Sequence, residues 1–352
     1  MALHVITEQH RVRSEIAVTA GLLAGSALAG GILGSDGAQE RAVVFAQPGS
    51  APVARVVTDS LAAAGVDTHL EVLPDGEEAK TFTVVEAACH LLNRLGLSRG
   101  DLVVGVGGGA LTDVAGFIAA TYLRGIEVVL VPTTLLAAVD AAIGGKTGVN
   151  VGGKNLAGAF RHPQRVLIDP DMLQEIPLAL RRQGAAEALK AGLIADPELL
   201  ALYERHGLDA PFAEVIDRAV AVKVEVVNGD FTEQGSRAWL NYGHTVGHAI
   251  EVAAGISHGE AVAIGMVAAG AASQRLVGFT EADRQRSVIA HLGLPTVAPE
   301  VDRTEILRLM ALDKKRDRSG LRMTLLRRIG EPVVAPVDDA TVDAALTAVG
   351  IT

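Results

Sequence analysis

Arg237, Asn241, His244 and His248 are separated by steps of four, three and four residues, and His258 follows ten residues later. At 3.6 residues per turn this spacing predicts one helix carrying all four on a single stripe. Between them stand Ala238, Trp239, Leu240, Val246, Ala249 and Ile250. An ordinary surface helix has an apolar stripe on a polar body. Here the pattern is inverted, which predicts a mostly buried helix with one face lining a polar cavity. Two imidazoles at i and i+4 with a third nearby suit a divalent cation held by nitrogen and oxygen donors. The plainer alternative is a pair of hydrogen-bonded core histidines plus one loop histidine. The accompanying arginine and asparagine favour the metal.

Other charged residues sit in equally apolar surroundings. Gly184-Ala-Ala-Glu187-Ala-Leu-Lys190 puts a carboxylate and an amine at i and i+3 among small and apolar neighbours. As a surface ion pair it would be worth little. As a buried pair facing a site, Glu187 would supply the oxygen donor that complements His244 and His258. Lys223 stands alone in Val220-Ala-Val-Lys-Val-Glu-Val-Val; it either snorkels to solvent or meets a substrate oxygen. The run Asp313-Lys314-Lys315-Arg316-Asp317-Arg318 reads as a solvated loop, before a strand at Leu321-Arg-Met-Thr-Leu-Leu.

In the first half, chemistry gathers at turns. Gly105-Val-Gly107-Gly108-Gly109-Ala-Leu-Thr-Asp113 follows a buried strand and opens a helix, a context in which backbone N–H groups can approach a pyrophosphate. Asp113 would be a helix N-terminal acid favoured by the dipole. Thr133 and Thr134 can bond a ribose or a phosphate, or cap the next helix. From Asp140 to Asn155 lie five glycines, Lys146 and Lys154. The stretch lacks the GxxxxGK[ST] spacing, which argues against ATP. It predicts a loop at a cleft between domains, its lysines facing an anionic ligand.

The elements that must position these residues follow a βαβ rhythm. Strands are expected at 41–46, 68–73, 101–106 and 127–131, and helices at 52–64, 82–95 and 111–123. Continuous Val/Leu runs mark a parallel sheet covered on both faces, hence a Rossmann-like domain over 1–175. Beyond Asp169 helices take over, predicting a mainly helical metal- and substrate-binding domain over 176–352. The fold class is α/β. With 352 residues, 49% of them hydrophobic and 3% aromatic, there is material for two cores packed by Ala, Val, Leu and Ile. A net charge of −10 argues against nucleic acid as partner. The one cysteine, Cys89, reads as a core residue and is consistent with a reducing cytoplasm. The uncharged stretch 16–35 is broken by glycines and short of bulky apolar residues. A strand and a buried helix are therefore expected there, rather than a membrane span or signal peptide.

Taken together, the motifs resemble those of the 3-dehydroquinate synthase family from about Leu73 to Gly330. They are Asp75-Gly-Glu-Glu-Ala-Lys80, Gly107-Gly-Gly-Ala-Leu-Thr-Asp113, Ala120-Thr-Tyr-Leu-Arg124-Gly, Val131-Pro-Thr-Thr-Leu-Leu, Gly144-Gly-Lys-Thr-Gly-Val-Asn150, Gly153-Lys-Asn155, Ala186-Glu-Ala-Leu-Lys190, Leu240-Asn-Tyr-Gly-His-Thr-Val-Gly-His248 and His258-Gly-Glu260. Ala141-Ala142 departs from the two serines of many members, and Arg181 to Glu187 is richer in alanine than usual. By resemblance, Glu187, His244 and His258 are zinc ligands, with cobalt as the second candidate metal. Asp75, Glu77, Glu78, Lys80, Gly108, Gly109, Asp113, Thr133, Thr134, Lys146, Lys154 and the run Met172, Leu173, Gln174 and Glu175 fall where the family binds NAD. Asp140, Lys146, Lys190, Lys223, Arg237, Asn241, His248 and Lys314 or Lys315 fall where it acts on substrate.

Arg124 matches an arginine that the family lends across a homodimer interface to the substrate phosphate. The implied reaction is that of the shikimate pathway of aromatic amino acid biosynthesis. It converts 3-deoxy-D-arabino-heptulosonate 7-phosphate to 3-dehydroquinate by transient oxidation, phosphate elimination, re-reduction and intramolecular aldol closure. His248 and the substrate phosphate are the expected proton carriers. The competing expectations are a sister sugar phosphate cyclase forming deoxy-inosose or valiolone rings, a metal-dependent polyol dehydrogenase, and a silent NAD-binding regulator. Lys190, Lys223, Arg237, Asn241 and His248 together favour an acid substrate, whose carboxylate needs a partner.

Overall fold

A computed structural model describes residues 2–7, 13–25, 27–34, 39–233, 235–314 and 321–352, with backbone alone for 2–7, 13, 313 and 314. Lys315 and the rest of the charge run to Arg318 lie outside the described residues, as does the side chain of Lys314. The chain divides into two compact units, Met1–Ile176 and Pro177–Thr352.

The first unit is built on a seven-stranded sheet. In chain order its strands are β1 (Ala2–Thr7), β2 (Arg13–Val18), β3 (Arg41–Ala46), β4 (Asp67–Val72), β5 (Leu102–Gly107), β6 (Glu127–Pro132) and, after the short hairpin of β7 (Lys146–Val149) and β8 (Ala157–Phe160), β9 (Arg165–Ile168). Their order across the sheet is β1-β2-β9-β6-β5-β3-β4. Six strands run parallel, and β1 pairs antiparallel with β2 at one edge. The Val/Leu runs do mark the middle of the sheet: every residue of β5 is buried, whereas the edge strand β4 is half open. Apolar residues of β3, β5 and β6 pack with those of the helix Ala51–Ala63 into one core. Stretch 16–35 supplies the second half of β2 and the short helix Leu28–Leu33, whose Leu28 and Ile32 are buried.

Three expectations need correction here. Between Asp140 and Asn155 the chain is no plain loop, because its centre is β7, paired antiparallel with β8. Gly145 makes the entry (φ +69), where any side chain would meet the Arg161 backbone at 2.9 Å. Second, the helix after β5 spans Gly109–Thr121 and does not reach Leu123. Leu123 and Arg124 follow with φ +50 and +65, outside helical space. Third, Cys89 is half-buried rather than a core residue.

The second unit gathers helices around the twenty-residue helix His258–Val277, which is buried along most of its length. Leu178–Ile194, His244–Ala254, Asp339–Ala348 and the hairpin of β10 (Arg322–Leu326) and β11 (Pro332–Pro336) lie close to it or to one another. Residues 184–194 are buried without interruption, so both charges at Glu187 and Lys190 are carried inside. No helix among the described residues is long and apolar enough to cross a membrane.

Candidate metal centre and nucleotide turn

The expected continuous helix through Arg237 and His248 does not exist. Ser236–Asn241 is a 3-10 segment, and an α-helix begins only at His244. Gly243 breaks the run with φ +83, where a β-carbon would lie 2.7 Å from Met266 Cγ and 2.9 Å from Met266 N. Only glycine lets this turn press against the helix His258–Val277 and still adopt left-handed backbone. The four polar residues are therefore presented by two short segments that meet at a turn.

Three donor atoms from three segments converge there. Glu187 Oε1 is 3.2 Å from His258 Nε2 and 3.5 Å from His244 Nε2. A tetrahedral ion with ligand distances of about 2.0–2.1 Å separates its donors by roughly 3.3 Å, so Glu187, His244 and His258 could hold one. Each imidazole is fixed from its other nitrogen. His244 Nδ1 donates to the Tyr242 carbonyl and His258 Nδ1 to Glu251 Oε2, both at 3.2 Å. A carbonyl can only accept, so His244 carries its proton on Nδ1 and turns the Nε2 lone pair inward. Close packing fixes the start of the helix that carries His258: Gly259 lies so close to Gln183 that a β-carbon would stand 2.4 Å from its Cα. His258 itself opens its helix behind a Ser257–Glu260 capping box, which is where Glu260 is used.

The electrostatics fit a cation. Burial alone would raise the Glu187 carboxyl, but Lys190, paired with it, and the two histidines hold it well below the usual carboxylate range. Burial, then Lys190, pushes His244 well below the usual imidazole range. Burial also opposes a proton on His258, yet Glu187 and Glu251 outweigh it and lift His258 to about 9. His258 is thus where the two carboxylates draw positive charge, while His244 is kept neutral with its Nε2 lone pair available.

The His244, His248 and His258 rings lie with centroids 5.0–5.8 Å apart, and His248 is the exposed one. His248, Glu251 and His258 form a second, overlapping group of donors. Lys190, Lys223 and Arg237 are all buried. The Arg237 guanidinium donates to the Phe231 carbonyl at 2.5 Å, and Asn241 Nδ2 donates to Glu233 Oε1 at 2.8 Å. Glu251 and Glu233 were not foreseen. Glu251 had a signal in the sequence, since it lies seven residues beyond His244 on the same helical face. Glu233 had none.

In the first unit the glycine turn is as expected. Gly108 caps the helix Gly109–Thr121 in extended conformation, and a β-carbon there would come within 3.3 Å of Thr134 Cγ2. Thr134 Oγ1 accepts from Ala137 N, which is its capping role, and Thr133 N donates to the Gly107 carbonyl. Asp113, however, is no exposed dipole partner. Lys80 Nζ donates to Asp113 Oδ2 at 2.6 Å and to Asn155 Oδ1. Asn150 accepts Asn155 N, donates to Glu77 Oε2, and donates its own backbone N–H to the Lys80 carbonyl. The 75–80 turn, the glycine helix and the 150–155 turn are thereby tied together. Burial, against the pull of Lys80, lifts the Asp113 carboxyl to about 6.

Asp75 is the N-cap of the short turn Gly76–Ala79, with Glu78 exposed on it. Asp140 lies half-buried in a π-turn, while Lys146, Lys154 and Arg124 are exposed. Of the run 172–175, Leu173 is fully buried core, Met172 is half-buried, and Gln174 and Glu175 are exposed.

Known proteins resemble the chain across both units. The N-terminal 3-dehydroquinate synthase domain matches residues 70–182 and the C-terminal one matches residues 184–316. The chain belongs to the 3-dehydroquinate synthase family. A 3-dehydroquinate synthase from Nocardia farcinica is 42% identical, with 93% of this chain and 92% of that one covered. Among solved structures, a 2-deoxy-scyllo-inosose synthase complexed with carbaglucose-6-phosphate, NAD+ and Co2+ has a TM-score of 0.88 at 26% identity, with both chains fully covered. A 2-epi-5-epi-valiolone synthase from Streptomyces hygroscopicus with NAD+ and Zn2+ bound has a TM-score of 0.87 at 30% identity, with 98% of each chain covered. Membership of the 3-dehydroquinate synthase family thus rests on sequence across both units, and the same fold serves sister cyclases.

Proposed function

We propose that this chain is a phosphate lyase that converts 3-deoxy-D-arabino-heptulosonate 7-phosphate to 3-dehydroquinate and phosphate, using zinc or cobalt and NAD. The convergence of Glu187, His244 and His258 carries the reading. A bound divalent metal would lower the pKa of a substrate hydroxyl and polarise the derived ketone. Bound NAD+ would take a hydride and return it, so the cofactor is regenerated in each turnover.

The chain's own residues do the rest. Lys190, Lys223 and Arg237, three buried cations, hold the carboxylate and the oxygens of the substrate, together with Asn241 and a lysine of the 314–315 pair. Asp140 and Lys146 complete the contacts. His248, exposed beside the other imidazoles, moves a proton. In the first unit the Gly108–Gly109 helix start receives the pyrophosphate, flanked by Thr133, Thr134, Lys146 and Lys154. Asp75, Glu77, Glu78, the Lys80–Asp113 pair and residues 172–175 shape the remaining nucleotide contacts. The working form is a cytoplasmic homodimer in which Arg124 serves the neighbouring subunit's substrate phosphate.

The sister cyclases are less similar in sequence, at 26% and 30% against 42% for the synthase, which favours the heptulosonate phosphate. Phosphate release tests the choice. It is expected from the heptulosonate phosphate with NAD+, to collapse when NAD+ is stripped, and to be absent with sedoheptulose 7-phosphate. Net accumulation of NADH would instead indicate a polyol dehydrogenase.

A further inference from the structure

Tyr242 precedes the left-handed Gly243 and is completely buried. Its carbonyl receives His244 Nδ1–H. Its phenol donates to Gln285 Oε1 at 2.7 Å and also meets Ser273. Gln285 comes from a different helix, Ala282–His291, and is 1% exposed. Its other end donates from Nε2 to the Met266 carbonyl at 2.5 Å, in the helix that His258 opens. Gly270 makes room for this reach, since a β-carbon there would stand 3.1 Å from Gln285 Nε2. One buried amide therefore joins the turn that aims His244 to the helix that bears His258. An amide spent only on filling the core would leave polar atoms unpaired; this one is paired at both ends, to both ligand-bearing segments.

We propose that Gln285, acting through Tyr242, is a positioning residue for the metal centre, fixing the aim of His244 Nε2 relative to His258. The proposal rests on the metal reading above. Neither residue is a ligand, and the two act as one strut. Removing either end lets the Tyr242–Gly243 turn relax while the ligands themselves remain.

The test uses the full-length chain, wild type beside Tyr242→Phe, Gln285→Met and the double variant. Each is stripped of metal and titrated with Co2+ against a chelator, and the visible d–d bands of the Co2+ form are recorded. The expected result is an affinity about tenfold weaker in each single variant, at the low end of losses from outer-shell partners of metal ligands. The Co2+ bands should shift, and the double variant should bind no more weakly than the weaker single one. A purely structural glutamine would lower the melting temperature of metal-free and metal-loaded protein alike. Affinities within twofold of wild type and superimposable bands overturn the proposal, whatever happens to melting. If Gln285→Met does not fold, Tyr242→Phe, which loses one oxygen, decides by the same criteria. A wild-type chain that binds no Co2+ overturns the metal reading and this one together; wild-type binding matched by the variants overturns this one alone.

Discussion

Among the described residues each unit carries a lysine–carboxylate pair removed from solvent, and the two pairs are poised in opposite senses. In the first, Lys80 meets Asp113, and burial wins: the carboxyl is lifted to about 6, with Glu77 and Asp140 adding to the lift. In the second, Lys190 meets Glu187, and the surroundings win: His244 and His258 join the lysine and hold the carboxyl well below the usual range. The contacts look alike, but the neighbours differ. A carboxylate among acids and glycines serves to tie turns together. A carboxylate ringed by imidazoles and a lysine is kept ionised, which is the state a cation requires.

The largest expected effect lies in the second unit. Glu187→Ala or His244→Ala should strip tightly bound metal and cut activity on the order of a thousandfold, while NAD titrates as in wild type. Elemental analysis checks it, and a variant with full metal content removes that residue from the ligand set. The mirror experiment sits in the first unit. Gly108→Val adds bulk where even a β-carbon would lie 3.3 Å from Thr134 Cγ2, at the helix end proposed for the pyrophosphate. NAD affinity should fall roughly tenfold or more with metal content unchanged. A variant that lost both ligands together would show that the two sites are not separable.

Arg124 gives a smaller effect. A cation near a helix end would tolerate lysine, being worth roughly 0.3–1 kcal/mol. The helix stops at Thr121, and Arg124 stands beyond it in left-handed backbone, which weakens the dipole account. A phosphate clamp loses its bidentate fork in Arg124→Lys, so KM for substrate should rise several-fold with NAD affinity unchanged. Mixed dimers of Arg124→Ala and His244→Ala subunits should recover some activity, because one site then has both an intact metal centre and an intact arginine. Inactive mixtures that demonstrably exchange subunits would refute the shared site.

What was legible in the sequence was local. Spacing announced the strand–glycine–helix turn at 105–113, because backbone conformation and composition are coupled over a few residues. It also put Glu187 and Lys190 on one buried helix face. The same reasoning misread 237–248 as one helix, since a polar stripe of period 3.6 does not reveal left-handed backbone at one of its members; Gly243 was the available hint. Contacts distant in sequence were not legible. Lys80 meets Asp113 and Asn155 across 33 and 75 positions, and Gln285 meets Tyr242 across 43. Such pairs depend on how the helices pack, which no short window contains.

The smallest effect tests the contrast between the two pairs through pH. In the folded chain the Asp113 carboxyl is lifted from 3.8 to about 6. Between those values the folded state keeps a proton that the unfolded state has released. The stability Asp113 contributes is therefore fully present below about pH 4 and is lost as pH rises through 6, by on the order of 3 kcal/mol in all. Asp113→Asn, always neutral, lacks this dependence. The gap in melting temperature between wild type and Asp113→Asn should therefore move against wild type from pH 4 to pH 7, with most of the change below about pH 6. Glu187 has the opposite sign. Its depressed carboxyl contributes stability that is present above the unfolded value and is lost only as pH falls below it. In metal-free protein, the gap between wild type and Glu187→Gln should therefore narrow as pH falls below 4.5, the same direction of pH in which the Asp113→Asn gap moves toward wild type. If both gaps moved in parallel, the two pairs would share one electrostatic character, and the contrast drawn between the units would be wrong.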